Sequence, residues 1–204
     1  MRHVLRISGG LLIAAGILLF FWQDIRETFI DRMNDRVISA YHDDSRPVEV
    51  NRLESFITGV DQSASYDMEG LAGILRIASA DIEEPVFSGP VTEQKLKSGL
   101  SFVDGTDHVD MQNIPIAGHR VEGAGIRFNH LDRAEVGDVV EFETMDEVRS
   151  YEITDMFEVD PSQVEVLDQK RDHPQQLTLI TCEDYNPETL LFEKRLIVKA
   201  TIME

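Results

Sequence analysis

The sequence predicts an all-β domain, a barrel or a sandwich, preceded by an N-terminal transmembrane helix and a helical stalk. Three observations carry this reading. From about Ala72 onward, short β-like runs alternate with turn residues and helices are few. Residues 7–22, ISGGLLIAAGILLFFW, carry no charge. Between these regions Ile25, Phe29, Ile30, Met33, Val37, Ile38 and Tyr41 recur at spacings of one, three or four, which is one stripe of a helix. The chain has 204 residues, 42% hydrophobic and 28% charged, enough for one ordinary domain plus an attachment and too apolar for a chain disordered throughout.

In chain order, residues 1–6 form a short basic tail holding Arg2 and Arg6 and no acid. The apolar run 7–22 rises roughly 24 Å as a helix, against roughly 30 Å of hydrocarbon. Arg6 can snorkel to the inner interface and Trp22 suits the outer one, which supplies the remainder. Phe20, Phe21, Trp22 and Gln23 follow the run where a cleavage site needs small residues, so an uncleaved signal-anchor is expected. Basic residues stay inside, so the expected topology is a single-pass membrane protein with a cytoplasmic N-terminus and residues 23–204 facing outward. Residues 23–60 read as a helical stalk or linker, with one helix over 24–42 stopped before Pro47 and a weaker one over 48–60. Residues 61–204 are the folded domain. Strands are expected at 73–79, 84–87, 113–119, 176–182 and 193–202, with 136–144 and 148–159 as an antiparallel pair. Residues 92–98 read as a helical turn or two, and Pro161 stands at a helix-start position.

The 38 acids against 19 bases give a net charge of −19, which disfavours a nucleic-acid footprint. A single cysteine excludes an intramolecular disulfide and any CxxC metal site. That cysteine, Cys182, follows the apolar strand LTLIT and precedes EDYNPET, which reads as a loop. Free cysteines are commonly small buried hydrophobes, but an unpaired thiol at a strand-to-loop boundary in an oxidising exterior is a liability unless used. A thiol nucleophile needs an acid/base partner and an oxyanion stabiliser. Of six histidines, His3 precedes the anchor, and His42, His108, His130 and His173 lie in polar stretches. His119 ends the strand NIPIA, and Arg195 follows the cysteine loop on the next strand. Each alone has an ordinary structural reading.

Together, the order His119, Cys182, Arg195 with TLITC at the cysteine resembles the class A sortases, membrane-anchored cysteine transpeptidases of Gram-positive bacteria. The matching stretches are IAGH (116–119), LTLITCEDYN (177–186) and FEKRLIV (192–198), with weaker matches at GILRI (73–77), ADIEEPVFSGP (80–90) and GLSF (99–102). The resemblance covers about Gly70 to Ile202 plus the anchor. It implies an eight-stranded sortase-type β-barrel. It further implies cleavage of a Leu-Pro-x-Thr-Gly sorting signal on surface proteins between Thr and Gly, and transfer to an amine of a peptidoglycan precursor, lipid II. Cys182 is then the nucleophile, His119 the acid/base and Arg195 the oxyanion or backbone-binding group. The signal groove is expected to include Val91, Thr92, Val103, Ala117, Val166, Leu167, Thr178 and Ile180, each of which can equally be barrel core. Two positions depart from the pattern: Glu93 stands where many relatives carry proline, and Phe192 where many carry tryptophan.

No cofactor is required by this chemistry, but calcium enters as an expected activator. Asp104, Asp107, Asp110 and Asn113 recur every three residues before the His119 strand. Some class A sortases bind calcium here, and the matching positions are Asp104, Asp107 and Asn113. The glutamate that completes the site from the mobile loop is Gln169 in this chain. The competing reading is an acidic solvated loop. Two other functions compete with the whole assignment: a non-catalytic module on a membrane stalk, and a different cysteine peptidase or wall-peptide transpeptidase. The latter groups usually place cysteine before histidine, or use a His-Gly-Cys sequence, and this chain does neither. For the anchor, protein recovered from membranes is expected to begin at or near Met1. N-terminal sequencing that finds a start beyond Trp22 would identify a cleaved signal peptide instead.

Overall fold

The computed structural model describes residues 2–43, 48–61, 70–120, 127–186, 189 and 191–203. Eight strands close a barrel: β1 (Leu71–Ile77), β2 (Ile82–Phe87), β3 (Leu100–Phe102), β4 (Asn113–Ala117), β5 (Val139–Glu143), β6 (Val148–Val159), β7 (Gln176–Asn186) and β8 (Leu191–Ile202). Their order around the barrel is β1-β2-β3-β4-β7-β8-β6-β5, with β5 returning to β1. Two pairs are parallel, β2 with β3 and β4 with β7; the others are antiparallel. Parallel neighbours need a crossover. For β2 to β3 it carries helix α4 (Glu93–Ser98), and for β4 to β7 it includes the whole β5–β6 hairpin. The barrel expected from the sequence is therefore the one observed.

Alternating aliphatic and aromatic residues fill the interior. Leu75, Ile77, Val86, Leu100, Ile114, Ile116, Phe142, Tyr151, Leu177, Leu179 and Val198 form one buried cluster. Gly73 marks where β1 and β5 approach too closely for a side chain: an added Cβ would lie 2.1 Å from the Glu143 carbonyl oxygen.

β3 and the end of β7 depart from expectation, while β6 keeps its expected bounds, 148–159, but not its period. β3 is only three residues long, too short to show a period, and it was not read from the sequence. β6 alternates poorly because a register shift between Ile153 and Asp155 breaks its pleat. β7 does not end at Cys182 but continues to Asn186, because Glu183 and Tyr185 still pair with Lys194 and Phe192.

The expected stalk is also corrected. α2 (Trp22–His42) lies against the barrel rather than standing free. Its residues Met33, Val37 and Tyr41 join Val50, Val60, Leu71, Ile74 and Phe87 in a second buried cluster. Beside it runs a buried polar link. Arg127 Nη1 donates to Asn34 Oδ1 at 2.8 Å and to the Glu84 carboxylate, and Asn34 Nδ2 donates to Glu84 Oε2 at 2.9 Å. Arg127 Nη2 reaches the Lys97 carbonyl at 2.8 Å. Burial pushes the Glu84 carboxyl up, and the Arg127 and Asn34 bonds oppose that shift. His42, which remains exposed, pairs with Glu143 at 2.8 Å, and Glu143 also binds Arg76 at 2.5 Å. The N-terminal segment is thus part of the folded body.

α1 (Arg2–Phe20) precedes α2 at a 55° bend. Among the described residues no single helix is long and apolar enough to cross a membrane, though the bent pair passes by length and composition. α2 is committed to the barrel, so the apolar length available to a membrane is that of α1 and its flanks.

Removing one partner of a buried ion pair strands the other charge and costs about 3–5 kcal/mol. Arg127→Ala is therefore expected to lower stability by that amount in denaturant unfolding. Asn34→Ala, which leaves the ion pair, should cost about 1–3 kcal/mol. Wild-type midpoints for both variants would mean that this link does not hold α2.

Candidate active site

Parallel pairing of β4 with β7 sets Ala117 beside Ile180. The Gly118 N–H donates to the Ile180 carbonyl at 3.0 Å, and the Thr181 hydroxyl donates back to the Gly118 carbonyl at 2.9 Å. Two residues beyond the Ala117–Ile180 pair, on each segment, stand His119 and Cys182. On the other side of β7, Cys182 pairs directly with Arg195 of β8. Residues opposite one another on antiparallel strands project to the same face, with Cβ atoms about 4.5–5.5 Å apart. Histidine, cysteine and arginine therefore form one row across three adjacent segments. One residue further along, Arg120 forms an ion pair with Glu183 and a second with Asp132 at 3.0 Å, which locks this register.

The row lies on the outer face. On β7, Leu177, Leu179 and Thr181 turn into the barrel and are buried, while Ile180 and Cys182 are partly exposed. Gly118 is required beside the histidine: an added Cβ would come within 2.5 Å of Leu100 and 2.6 Å of Phe128. The His119 carbonyl accepts the Phe128 N–H at 3.0 Å. Its Nε2 lies 3.3 Å from Glu93 Oε2, in the first turn of α4, and Glu93 is also 3.7 Å from Lys97. Glu93 was singled out in the sequence only as a departure; the structure makes it a partner of the histidine. Arg195 Nη1 donates to the carbonyls of Lys194 at 2.9 Å and Phe192 at 3.4 Å. Glu193, the acid nearest in sequence, instead accepts from Asn186 at 2.5 Å.

The expected groove residues fall into three groups. Ala117 and Ile180 lie beside the row and are partly exposed. Val166 and Leu167 stand on a 3₁₀ turn at Val164–Leu167 and are also partly exposed. Val91, Thr92 and Val103 lie beyond β3. The Val91 N–H donates to the Val103 carbonyl at 3.2 Å, and the Thr92 hydroxyl caps α4 by accepting the Lys95 N–H at 3.3 Å. Thr178 does not line an open groove. It is fully buried, and its hydroxyl donates to Asn113 Oδ1 at 2.6 Å.

That bond belongs to a clasp that ties the segment around the 3₁₀ turn to the start of β4. Asn113 Nδ2 donates to the carbonyls of Val166 at 3.1 Å and Asp168 at 3.3 Å. The Gln169 side chain closes a two-point contact with the Asn113 backbone: its Oε1 accepts the N–H at 2.9 Å, and its Nε2 donates to the carbonyl at 2.7 Å. The Lys170 N–H donates to Gln112 Oε1 at 2.7 Å.

The same bonds bear on calcium. Both ends of the Asn113 amide and both ends of the Gln169 amide are engaged with protein. Asp104 accepts from the Thr106 N–H and hydroxyl, which lower its carboxyl, and Asp107 accepts the Asp104 N–H at 2.6 Å while burial pushes its carboxyl up. Among the described residues no cluster of three or more His, Cys, Asp or Glu side chains is arranged to hold a metal ion. Asp104, Asp107, Asn113 and Gln169 as arranged do not fit a calcium ion, which takes 6 to 8 oxygens.

Comparison with known proteins agrees with this architecture. Residues 75–203 match the Sortase domain family. Sortase A of Staphylococcus aureus (strain NCTC 8325 / PS 47) is 35% identical over 201 residues, 98% of this chain and 96% of that protein. Sortase A of Streptococcus agalactiae serotype III is 30% identical, over 94% of this chain and 81% of that protein. The crystal structure of Listeria monocytogenes sortase A superposes with a TM-score of 0.58 at 23% identity, covering 66% of this chain and 88% of that one, which shows a shared fold. With the domain match spanning most of the barrel and the Staphylococcus aureus likeness nearly the whole chain, this protein belongs to the sortase family.

Proposed function

We propose that the protein is a class A sortase, a membrane-anchored cysteine transpeptidase that cleaves Leu-Pro-x-Thr-Gly-type signals between Thr and Gly. The acyl group then passes to an amine of a cell-wall precursor, lipid II. The row of His119 just past β4, Cys182 on β7 and Arg195 on β8 carries this reading. It supplies a thiol, an acid/base and a five-donor cation on one face.

In the proposed reaction the Cys182 thiolate adds to the Thr carbonyl carbon, and the carbon–sulfur bond forms as the oxygen becomes an anion. Arg195 is placed to donate to that oxyanion or to the signal backbone, and a planar fork does so better than a point charge. The tetrahedral adduct collapses, the carbon–nitrogen bond breaks, and the His119 imidazolium gives its proton to the leaving Gly amine. An acceptor amine then attacks the thioester, returns a proton to His119, and releases the Cys182 thiolate. Glu93 Oε2, 3.3 Å from His119 Nε2, is placed to orient the imidazole. Water competes for the thioester, so transfer depends on holding the amine beside the acyl carbon. α1 serves as the anchor, with the basic N-terminus inside and the barrel outside.

The assignment is tested by incubating the protein with a Leu-Pro-x-Thr-Gly peptide and an amine, and following the amide product by mass spectrometry. Cys182→Ala is expected to abolish both product and acyl-enzyme while leaving thermal unfolding unchanged. Residual exchange in that variant would refute the thioester route. Arg195→Lys keeps the charge and loses the fork; a fall of about 10²–10³-fold in kcat is expected, with little change in stability. Wild-type turnover would make the arginine a diffuse charge only. Gln169→Ala releases the segment around the 3₁₀ turn and should lower kcat/KM for the signal peptide by about 10–100-fold, mostly through KM. Turnover of the unsubstituted protein should be flat from chelator to millimolar calcium. A rise with calcium would show that the Asn113–Gln169 clasp gives way to the ion.

A further inference from the structure

Where the chain leaves α1, it builds an apolar ridge that the barrel does not cover. Helix α3 (Arg52–Thr58) is short but firmly set. The Asn51 side chain accepts the N–H groups of Leu53 and Glu54, both at 3.0 Å, and Glu54 accepts the Asn51 N–H at 3.0 Å, a complete capping box. Gly59 closes the other end at φ 76°, in the left-handed region. The inner side is fastened to α2. Arg36 pairs with Glu54 at 2.7 Å, Arg26 Nη2 donates to the Thr58 carbonyl at 3.2 Å, and Ile57 and Thr58 are buried.

That attachment forces Leu53 and Phe56 outward. They are 59% and 77% exposed, and three residues apart on a helix they share a face. The Phe56 ring lies 6.4 Å from that of Trp22, edge-on at 74°. Trp22 is the first residue of α2 and directly follows Phe20 and Phe21, which are also exposed. The ridge is therefore continuous with the apolar surface of α1. Large exposed apolar patches mark interaction sites, and aromatic rings beside a spanning segment suit the bilayer interface. The net charge of −19 makes ionic attraction to an anionic leaflet the wrong explanation for this face, and leaves apolar burial as its driving force.

We propose that Leu53 and Phe56 insert into the interfacial region of the same bilayer that receives α1, as a second membrane contact. The proposal rests on the membrane-anchor reading of α1. One helix through a bilayer leaves its domain free to swing. A second contact, joined to α2 and through it to the barrel, fixes the height and tilt of the His119–Cys182–Arg195 row above the lipid surface.

The test uses the full chain in phosphatidylcholine vesicles with or without acyl chains brominated near the headgroup. The protein holds one tryptophan, so Phe56→Trp in a Trp22→Phe background reports from α3 alone. Quenching of about two-fold or more by the brominated lipid is expected. Adding Leu53→Asp should reduce it without moving the thermal midpoint, since the side chain is exposed. Alkaline carbonate extraction of the same vesicles reports on α1 separately. Protein that resists extraction yet shows no quenching overturns the α3 contact while sparing the anchor. Protein released by carbonate overturns the anchor reading and the α3 contact with it.

Discussion

A parallel ladder between the short strand β4 and the start of the long β7 is the constraint on which the site depends. Histidine and cysteine are 63 residues apart in the chain, and no local structure brings them together. The ladder does so by register: each lies two positions past the Ala117–Ile180 pair. Register is strongly specified where one face is buried, because a slip of one residue would turn Leu177 and Leu179 outward and Ile180 and Cys182 inward. The same apolar alternation that stabilises the barrel thus aims the thiol at the outer face. Gly118 and the Arg120–Glu183 pair hold the ladder at the end where β4 stops.

Around this ladder the protein spends polar side chains on positioning. Asn113 begins β4, and its amide reaches across to Val166 and Asp168. Gln169 completes the contact on the same backbone unit. Arg127 does comparable work behind the site. It stands in the segment that follows His119, and it reaches α2 through Asn34, β2 through Glu84 and α4 through the Lys97 carbonyl. α4 in turn presents Glu93 to His119. Asn113, Gln169, Asn34 and Glu84 each find hydrogen-bond partners, and both terminal nitrogens of Arg127 do as well.

Much of this was legible in the sequence and some was not, for physical reasons. Strands with clear alternation, such as β4 and β7, were found within a few residues, as was the amphipathic α2. β3 is too short to carry a period, and the bulge in β6 scrambles its own. The row His119, Cys182, Arg195 was readable as residue types at strand ends, with motifs around them. The apolar stripe on α2 showed that the helix buries a face but not against what, since its partners Leu71, Ile74 and Phe87 lie far along the chain. Arg127 gave no sign of burial, because an arginine in a polar stretch looks solvated unless its carboxylate is known. Gln169 was read as a weak cation ligand; that a neutral amide instead closes on backbone follows only from how near Asn113 lies.

The barrel has no open edge, and its closing member is β8, the last strand of the chain. β8 pairs with β6 on one side and β7 on the other, so neither seam exists until the C-terminal residues are in place. Synthesis and export begin at the other end, where α1 and α2 emerge well before the strands that bury α2. Such non-local pairing is slow to assemble. The arginine opposite Cys182 arrives on that final strand. An unfinished or truncated chain therefore carries Cys182 without the arginine that faces it in the closed barrel.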